Sequence, residues 1–268
     1  MNRVVPDPEQ PGAWYVRING TDHSWIDPED PTRLEFDYMQ RIADVVDAHA
    51  PAGERLRVLH IGGAGMTLPR YVAATRPTSA QIVLEPDEEL TAEVRRTVPL
   101  PRNSGIKVRP IDGRAGVAAI RDDWNADVVI MDAFAGASVP AELTTLEFFT
   151  DLRRVLAPVG VVLLNVTDKS PFVYARRVLA GLAEVFPELM LSAEPATLKG
   201  RRFGNILLAG SAMALPLAAL SRKAAGSVFP YRVLHGPHLA RFGSGGVPFT
   251  DRDAAPSPEP PGGPAFFR

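Results

Sequence analysis

Residues 57–66 read Arg-Val-Leu-His-Ile-Gly-Gly-Ala-Gly-Met, and this stretch decides how the chain folds. Its apolar run at 58–61 predicts a buried strand, and the glycines after it predict a tight turn into the next helix. Such a turn lets the backbone approach a ligand closely, while the helix aims its first N–H groups at that ligand. The order Gly-Gly-x-Gly departs from the dinucleotide pattern G-x-G-x-x-G. The stretch therefore indicates either a nucleoside-binding loop or a purely structural turn.

The alternation of an apolar run with a helical pattern repeats along the chain. Continuous apolar strands that alternate with helices are typical of parallel βαβ units covered on both faces. We therefore predict an α/β fold with a Rossmann-like, doubly wound, mostly parallel sheet over residues 41–240. Strands are predicted at 58–61, 81–84, 106–108, 126–131 and 160–166, helices at 68–74, 88–97, 113–120, 146–156 and 171–186, and further β-like segments at 189–193 and 205–209.

Both ends of the chain differ from this pattern. Asn19-Gly20 separates two β-prone runs and predicts a hairpin turn, because both residues tolerate positive φ. We therefore expect a small N-terminal β element over residues 13–40, which includes the start of a helix near Pro31. Residues 1–12 contain three prolines and are expected to be flexible. Residues 241–268 contain 5 Gly and 6 Pro, and this composition predicts a disordered tail.

Composition excludes several classes of function. The 268 residues include 29 Lys+Arg and 31 Asp+Glu, which argues against binding nucleic acid or an anionic membrane by bulk charge. The absence of cysteine excludes thiolate zinc sites, iron–sulfur clusters and cysteine nucleophiles. No apolar run approaches the roughly 20 residues of a membrane helix, and the N-terminus lacks a signal-peptide core. We expect a cytoplasmic protein with no metal, nucleic acid or membrane partner.

Acidic residues follow three of the predicted strands. Ligands of open α/β sheets bind beyond the carboxyl ends of the strands, so these residues are the first candidates for a site. Glu85 can accept hydrogen bonds from ribose hydroxyls, or it merely ends a strand. Asp112 can accept from an adenine amino group and also cap the next helix. Asp132 is the best general-base candidate, because a loop of small residues at 133–142 follows it instead of a helix.

Taken in order, these segments resemble the spermidine synthase (polyamine aminopropyltransferase) family, a branch of the class I methyltransferase fold. The resemblance runs from about residue 15 to residue 210. It is carried by Asn19-Gly20 with Asp30-Pro31-Thr32-Arg33-Leu34, by Val58-Leu59-His60-Ile61-Gly62-Gly63, by Glu85 with Asp87-Glu88, by Asp112-Gly113, and by Asp132 with Pro140-Ala141-Glu142-Leu143.

The resemblance implies a transferase that uses S-adenosylmethionine or decarboxylated S-adenosylmethionine as co-substrate. It implies that Glu85 holds the ribose, that Asp112 holds the adenine amino group, and that Asp132 deprotonates an acceptor amine. It also implies that the N-terminal hairpin can pair across a homodimer. The donor-binding residues that it suggests are Gly62, Gly63, Gly65, Glu85, Asp112, Gly113, Pro140 and Ala141.

The chain departs from the family pattern at three positions. Gly65 stands where the family has an acid that anchors the donor's amino group, Ala135 replaces a second acid of the loop, and Met39 replaces a glutamine after Tyr38. Cationic polyamines need carboxylate partners, so these changes weaken the case for aminopropyl transfer. They suit ordinary S-adenosylmethionine, whose carboxylate an acid at position 65 would repel and which free loop N–H groups can receive.

Three functions therefore remain open. The first is a transferase that moves an aminopropyl or methyl group from an adenosyl sulfonium to a small-molecule acceptor such as an amine. The second is a non-catalytic nucleoside-binding homologue. The third is a small-molecule methyltransferase unrelated to polyamines, whose apolar acceptor pocket would be lined by Trp25, Tyr38 and Phe134.

Overall fold

The computed structural model describes residues 3–261, in which a large central sheet carries helices on both faces. The strands are β1 Val4–Pro6, β2 Trp14–Ile18, β3 Thr21–Ile26, β4 Arg57–Ile61, β5 Ala80–Leu84, β6 Ile106–Arg109, β7 Ala126–Met131, β8 Leu156–Asp168, β9 Glu188–Ala193, β10 Gly204–Ser211 and β11 Arg232–Leu234. The helices are α1 Asp37–His49, α2 Thr67–Thr75, α3 Glu88–Thr97, α4 Gly113–Ala118, α5 Leu146–Val155, α6 Val173–Val185, α7 Pro195–Leu198, α8 Leu217–Gly226 and α9 Gly236–Gly243.

The central sheet has the strand order β11-β9-β10-β8-β7-β4-β5-β6. The five strands from β8 to β6 in this order are parallel, whereas β10, β9 and β11 add antiparallel pairs at the other side. The chain leaves β4 first toward β5 and β6 and later returns to its other side with β7. The carboxyl ends of β4 and β7 therefore flank the switch point at which open sheets bind ligands.

Alternating side chains of the strands build two apolar layers. On one face, Leu59 and Ile61 of β4 pack in the same cluster as Phe148 of α5 and Val178 of α6. On the other face, Val58 of β4 belongs to the cluster that contains residues of α1, α2 and α8. Because both faces are covered, the parallel strands β4, β5, β7 and β8 are mainly apolar, as the sequence predicts. Among the buried polar exceptions, His60 and Gln81 pair with each other at 2.9 Å. The predicted α/β class, with a mostly parallel sheet and a small N-terminal β element, is confirmed.

The N-terminal element is a three-stranded antiparallel sheet of β1, β2 and β3. Its predicted turn has Asn19 at φ 51° and Gly20 at φ 81°, the conformation that this residue pair favours. The expected flexibility of residues 1–12 is wrong for the described part of that segment. Residues 4–6 form β1, and the Glu93 carboxylate accepts from the N–H groups of Arg3 and Val4 at 2.8 and 3.0 Å. Residues 1–2 lie outside the described residues.

The first helix begins later than predicted, at Asp37 instead of near Pro31. The stretch before it forms turns, because the Asp27 and Asp30 carboxylates accept hydrogen bonds from backbone N–H groups two or three residues ahead. These short side-chain-to-backbone bonds compete with helical ones.

The prediction of a disordered tail over 241–268 is corrected for residues 241–261. Residues 241–243 end α9, and Phe249 is buried, with its ring 5.4 Å from the Tyr174 ring. The Arg177 guanidinium lies 3.8 Å from the Phe249 ring centre and also pairs with Asp253. A buried aromatic ring and charge pairs thus hold a proline-rich segment in place. Residues 262–268 lie outside the described residues.

The helices of residues 3–261 include none with the length and apolar character needed to cross a bilayer.

Candidate active site

A cavity of about 590 Å³ opens at the carboxyl ends of β4, β5 and β7, and we call it the main cavity. A volume of this size is in the usual range for small-molecule sites. Of the predicted donor-binding, catalytic and acceptor-pocket residues, those that line it are Tyr38, Gly62, Gly63, Glu85, Asp112, Gly113, Asp132, Phe134 and Pro140. Gly65, Ala141 and Trp25 are not among the lining residues.

Gly62 brings the first loop close to the end of β7. It has φ 90°, and a Cβ added there would lie 2.3 Å from the carbonyl oxygen of Asp132. Only glycine combines this conformation with so close an approach. The predicted turn after β4 therefore joins two walls of the main cavity.

Glu85 holds this loop to the end of β5. Its Oε2 accepts from the N–H groups of Gly63 at 2.9 Å and Ala64 at 3.0 Å, while Oε1 accepts from Asp87 N–H at 3.0 Å. The adjacent N–H of Gly65 donates to Ser24 Oγ at 3.1 Å. The expectation that free loop N–H groups receive a donor carboxylate is therefore wrong for these three groups, because protein oxygens already occupy them.

Gly65 faces the N-terminal sheet and not the main cavity. A Cβ at this position would lie 2.7 Å from Ser24 Cβ and 2.9 Å from Ile26 Cδ1, both in β3. A larger residue cannot fit here unless the N-terminal sheet shifts. The side chain of an acid at position 65 would thus point toward β3. The absence of an acid there therefore does not discriminate between S-adenosylmethionine and decarboxylated S-adenosylmethionine as the donor.

Asp112 and Asp87 both cap helices. Asp112 Oδ1 accepts from Ala115 N–H at 2.8 Å at the start of α4, and Asp87 Oδ1 accepts from Leu90 N–H at 2.8 Å at the start of α3. Asp112 also lines the main cavity, so its second oxygen can take part in ligand binding while the first one caps.

Asp132 directly follows β7, and each of its carboxylate oxygens accepts a hydrogen bond. Oδ1 accepts from Asn165 Nδ2 at 2.9 Å, and Oδ2 accepts from the Tyr38 hydroxyl at 3.3 Å. Burial raises the pKa of Asp132 from its ordinary 3.8 to about 6, although the two hydrogen bonds oppose that rise. Such a carboxylate is ionised at neutral pH and is basic enough to accept a proton from an ammonium group.

Asn165 was missed by the sequence reasoning. It is an amide within the apolar run 160–166 of β8, and its side chain is 1% exposed. A polar residue near the carboxyl end of a buried strand could have indicated a role at the site, because buried polar groups need partners. Its Oδ1 has no hydrogen-bond partner among the described residues.

A second, smaller cavity of about 60 Å³ adjoins the main one, and we call it the side pocket. Its walls come from β3, α1, the loop 133–142, β8 and β10, which sequence spacing alone does not bring together. The lining residues are Thr21, His23, Tyr38, Phe134, Gly136, Ala137, Asn165, Thr167 and Asn205. Of these, His23, Tyr38, Phe134 and Gly136 also line the main cavity.

Trp25 does not line a substrate pocket as expected. Its side chain is 1% exposed, its Nε1 donates to Asp7 Oδ2 at 2.7 Å, and the Arg33 guanidinium stacks 4.8 Å from the centre of its ring. The indole is therefore part of the packing of the N-terminal sheet. Tyr38 and Phe134 both line the side pocket.

The C-terminal segment, residues 249–257, supports the loop 133–142. Ser257 Oγ accepts from Val139 N–H at 2.9 Å, and Ser257 N–H donates to Val139 O at 3.2 Å. Ser257 is buried and also lies 3.2 Å from the hydroxyl of Thr167. The residue before Pro140 is thus tied to the C-terminal segment, and through it to β8.

No protein-family model matches the chain. A probable spermidine synthase from Corynebacterium glutamicum is 35% identical, with 92% of each chain covered and a TM-score of 0.85. A polyamine aminopropyltransferase from Chromobacterium violaceum is 25% identical over 54% of this chain, and the match spans about half of that relative's length. Human methyltransferase-like protein 13, solved in complex with SAH, is 20% identical and has a TM-score of 0.56, with 78% of this chain and 89% of that chain covered.

The first of these similarities extends over nearly the whole of both chains, and the third confirms the class I methyltransferase fold. The resemblance inferred from separate motifs is therefore confirmed over a continuous length. This chain belongs to the spermidine synthase-like family.

Proposed function

We propose that this protein is an aminopropyltransferase, which binds decarboxylated S-adenosylmethionine in the main cavity and transfers its aminopropyl group to an amine. The observation that carries the proposal is Asp132, a carboxylate fixed by Asn165 and Tyr38 at the switch point of the sheet. Membership of the spermidine synthase-like family and the similarity to the aminopropyltransferase from Chromobacterium violaceum support the same activity.

The state of the glycine loop favours the decarboxylated donor over S-adenosylmethionine. The N–H groups of Gly63, Ala64 and Gly65 already donate to Glu85 or Ser24. A donor carboxylate next to this loop would be repelled by the Glu85 carboxylate, and the three loop N–H groups would not be free to bind it. A donor without that carboxylate avoids the repulsion.

Glu85 and Asp112 are the proposed nucleoside contacts. A carboxylate has roughly four acceptor positions, and Glu85 uses three of them for backbone N–H groups. It can therefore accept from one ribose hydroxyl, fewer than the sequence suggests. Asp112 keeps Oδ2 for the adenine amino group, and Pro140 forms part of the wall of the main cavity.

In the proposed reaction Asp132 takes a proton from the acceptor ammonium. The freed nitrogen lone pair then attacks the methylene carbon next to the sulfonium, the carbon–sulfur bond breaks, and its electron pair goes to sulfur. The products are methylthioadenosine, the aminopropylated amine as its ammonium form, and protonated Asp132, which returns its proton to water. The fixed carboxylate contributes by orienting the amine as well as by accepting the proton.

Product analysis with two donors tests this proposal. The enzyme is incubated with decarboxylated S-adenosylmethionine or with S-adenosylmethionine and a set of primary amines, and methylthioadenosine and S-adenosylhomocysteine are quantified. We expect methylthioadenosine from the first donor, greatly reduced in Asp132→Asn and unchanged in Asp123→Asn, a matched change at an exposed surface position. Methyl transfer from the second donor would contradict the choice of donor, and nucleoside binding without any product would support a non-catalytic homologue.

A further inference from the structure

The side pocket beside Asp132 is lined by neutral polar groups. Thr21, Asn165, Thr167 and Asn205 carry no charge at any ordinary pH. Burial lowers the pKa of His23 below its ordinary 6.5, so its imidazole is neutral at pH 7. None of the residues that line the side pocket is a carboxylate. Asp132, which accepts from the lining residues Asn165 and Tyr38, is the carboxylate at its border with the main cavity.

Three carboxylates are adjacent in sequence to residues that line the side pocket, and each already has a partner outside the pocket. Asp22 lies between Thr21 and His23 in β3, where alternation turns its side chain to the opposite face, and it pairs with Arg17 at 2.6 Å. Asp37 precedes Tyr38 and pairs with the buried guanidinium of Arg41 at 3.4 Å.

The third is Asp168, which follows Thr167 at the end of β8. Its Oδ1 accepts from the N–H of Lys169 at 2.7 Å, and its Oδ2 accepts from the N–H of Ala175, in the first turn of α6, at 2.9 Å. This carboxylate is thus used inside the fold. A second ammonium group in the side pocket would lose part of its hydration and find no anionic partner among the residues that line the pocket.

We infer that the acceptor has a single ammonium group, the one that faces Asp132, and an uncharged, hydrogen-bonding remainder that occupies the side pocket. This inference rests on the proposed function and specifies its substrate class: amino alcohols and related monoamines instead of diamines. Two buried atoms without partners among the described residues, Asn165 Oδ1 and His23 Nε2, agree with it. Asn165 Oδ1 can accept from an N–H or O–H group, and a neutral imidazole can exchange a hydrogen bond with a hydroxyl.

A matched pair of probes tests the inference. 4-Aminobutan-1-ol and 1,4-diaminobutane have the same chain length and differ only in a terminal hydroxyl or ammonium group. We expect kcat/KM for the amino alcohol to exceed that for the diamine by at least about tenfold at pH 7.5, because the second ammonium lacks a partner. Calorimetric titration of both amines into protein saturated with methylthioadenosine is expected to show the same order. Equal values, or a preference for the diamine, overturn the inference.

A variant that adds one charge provides the second arm. Asn205→Asp places a carboxylate in the side-pocket wall with almost no change in size, and it is expected to move the ratio at least about tenfold toward the diamine. Asn103→Asp, the same change at an exposed site, leaves the ratio unchanged. A ratio that does not move in a folded Asn205→Asp variant argues against the inference. If that variant does not fold, the wild-type ratio decides.

The proposed function and the substrate class fail in different ways. If methylthioadenosine does not bind, the proposed function itself is contradicted, whatever the amines do. If it binds and the diamine is preferred, the proposed function stands and only the substrate class is wrong.

Discussion

Asn165 Nδ2 donates a hydrogen bond of 2.9 Å to Asp132 Oδ1, which joins the ends of the neighbouring strands β8 and β7 at the floor of the site. The bond favours the ionised form of Asp132 and so opposes the effect of burial on its pKa. The protonation state of the proposed base therefore depends on Asn165, which was not among the predicted site residues.

The first prediction concerns the pH dependence of activity. Asp132 has a pKa of about 6 and accepts a proton only when ionised, so kcat/KM is expected to fall as the pH drops through about 6. Replacing Asn165 with leucine removes the hydrogen-bond donor to Asp132 and so raises the pKa of Asp132. The fall in kcat/KM at acid pH is then expected to occur at a higher pH. Asn205→Leu, in the same pocket but without a bond to Asp132, is the control. If kcat/KM falls at the same pH in wild type and in Asn165→Leu, the assignment of Asp132 as the base is contradicted.

The second prediction is that Asp132→Asn gains stability while losing activity. Folding raises the pKa of the Asp132 carboxyl group from 3.8 to about 6. The ionised group therefore destabilises the fold increasingly as the pH rises from 3.8 to about 6, and above pH 6 the destabilisation stays at its full value. At pH 7.5 the variant is expected to be more stable by at most about 3 kcal/mol, and the difference shrinks toward pH 4. Activity is expected to fall by roughly 10²- to 10⁴-fold.

Urea unfolding at pH 7.5 and at pH 4.5 measures the difference, with Asp123→Asn as the control. A variant that is less stable than wild type at pH 7.5 would show that the carboxylate is needed for the fold and would weaken its assignment as a group kept for chemistry.

The third prediction concerns Gly65, where the family usually has an acid. Gly65→Asp is expected to lower the free energy of unfolding by about 1–3 kcal/mol, because its Cβ would lie 2.7 Å from Ser24 Cβ. It is not expected to improve the use of a decarboxylated donor. Gly226→Asp, at a position with no atom within 4 Å of an added Cβ, is the control for stability. A stable Gly65→Asp enzyme with higher aminopropyl transfer would show that the side chain reaches the donor after all.

The fourth prediction tests the C-terminal segment. Ser257→Ala removes the acceptor of the buried Val139 N–H, which costs about 1–3 kcal/mol for the local structure. Because Val139 precedes Pro140 in the wall of the main cavity, we expect weaker binding of methylthioadenosine as well as a lower Tm. Ser221→Ala, on the exposed face of α8, should change neither. Unchanged nucleoside affinity in Ser257→Ala would mean that the segment stabilises the fold without shaping the site.

The sheet could be predicted from sequence because the buried parallel strands β4, β5, β7 and β8 consist mainly of apolar residues. The same logic placed Glu85, Asp112 and Asp132 around one cavity, since the carboxyl ends of neighbouring parallel strands meet at one edge. Local chemistry sufficed in each of these cases: an apolar run, a glycine turn, and an acid at the strand end.

What could not be predicted depends on residues that are distant in the chain. Arg114 pairs with Asp251 at 2.8 Å across 137 positions, and composition alone made this segment look disordered. Trp25 resembles a pocket aromatic until Asp7 and Arg33 are seen to hold it inside the N-terminal sheet. Such contacts carry no short-range signal in the sequence.

The most direct measurement is a crystal structure with methylthioadenosine and an amine bound. We predict a ribose hydroxyl within hydrogen-bond distance of Glu85, the adenine amino group at Asp112, and the amine nitrogen at Asp132 with the sulfur within reach. A nucleoside bound elsewhere, or an amine whose nitrogen does not contact Asp132, would contradict the proposed function.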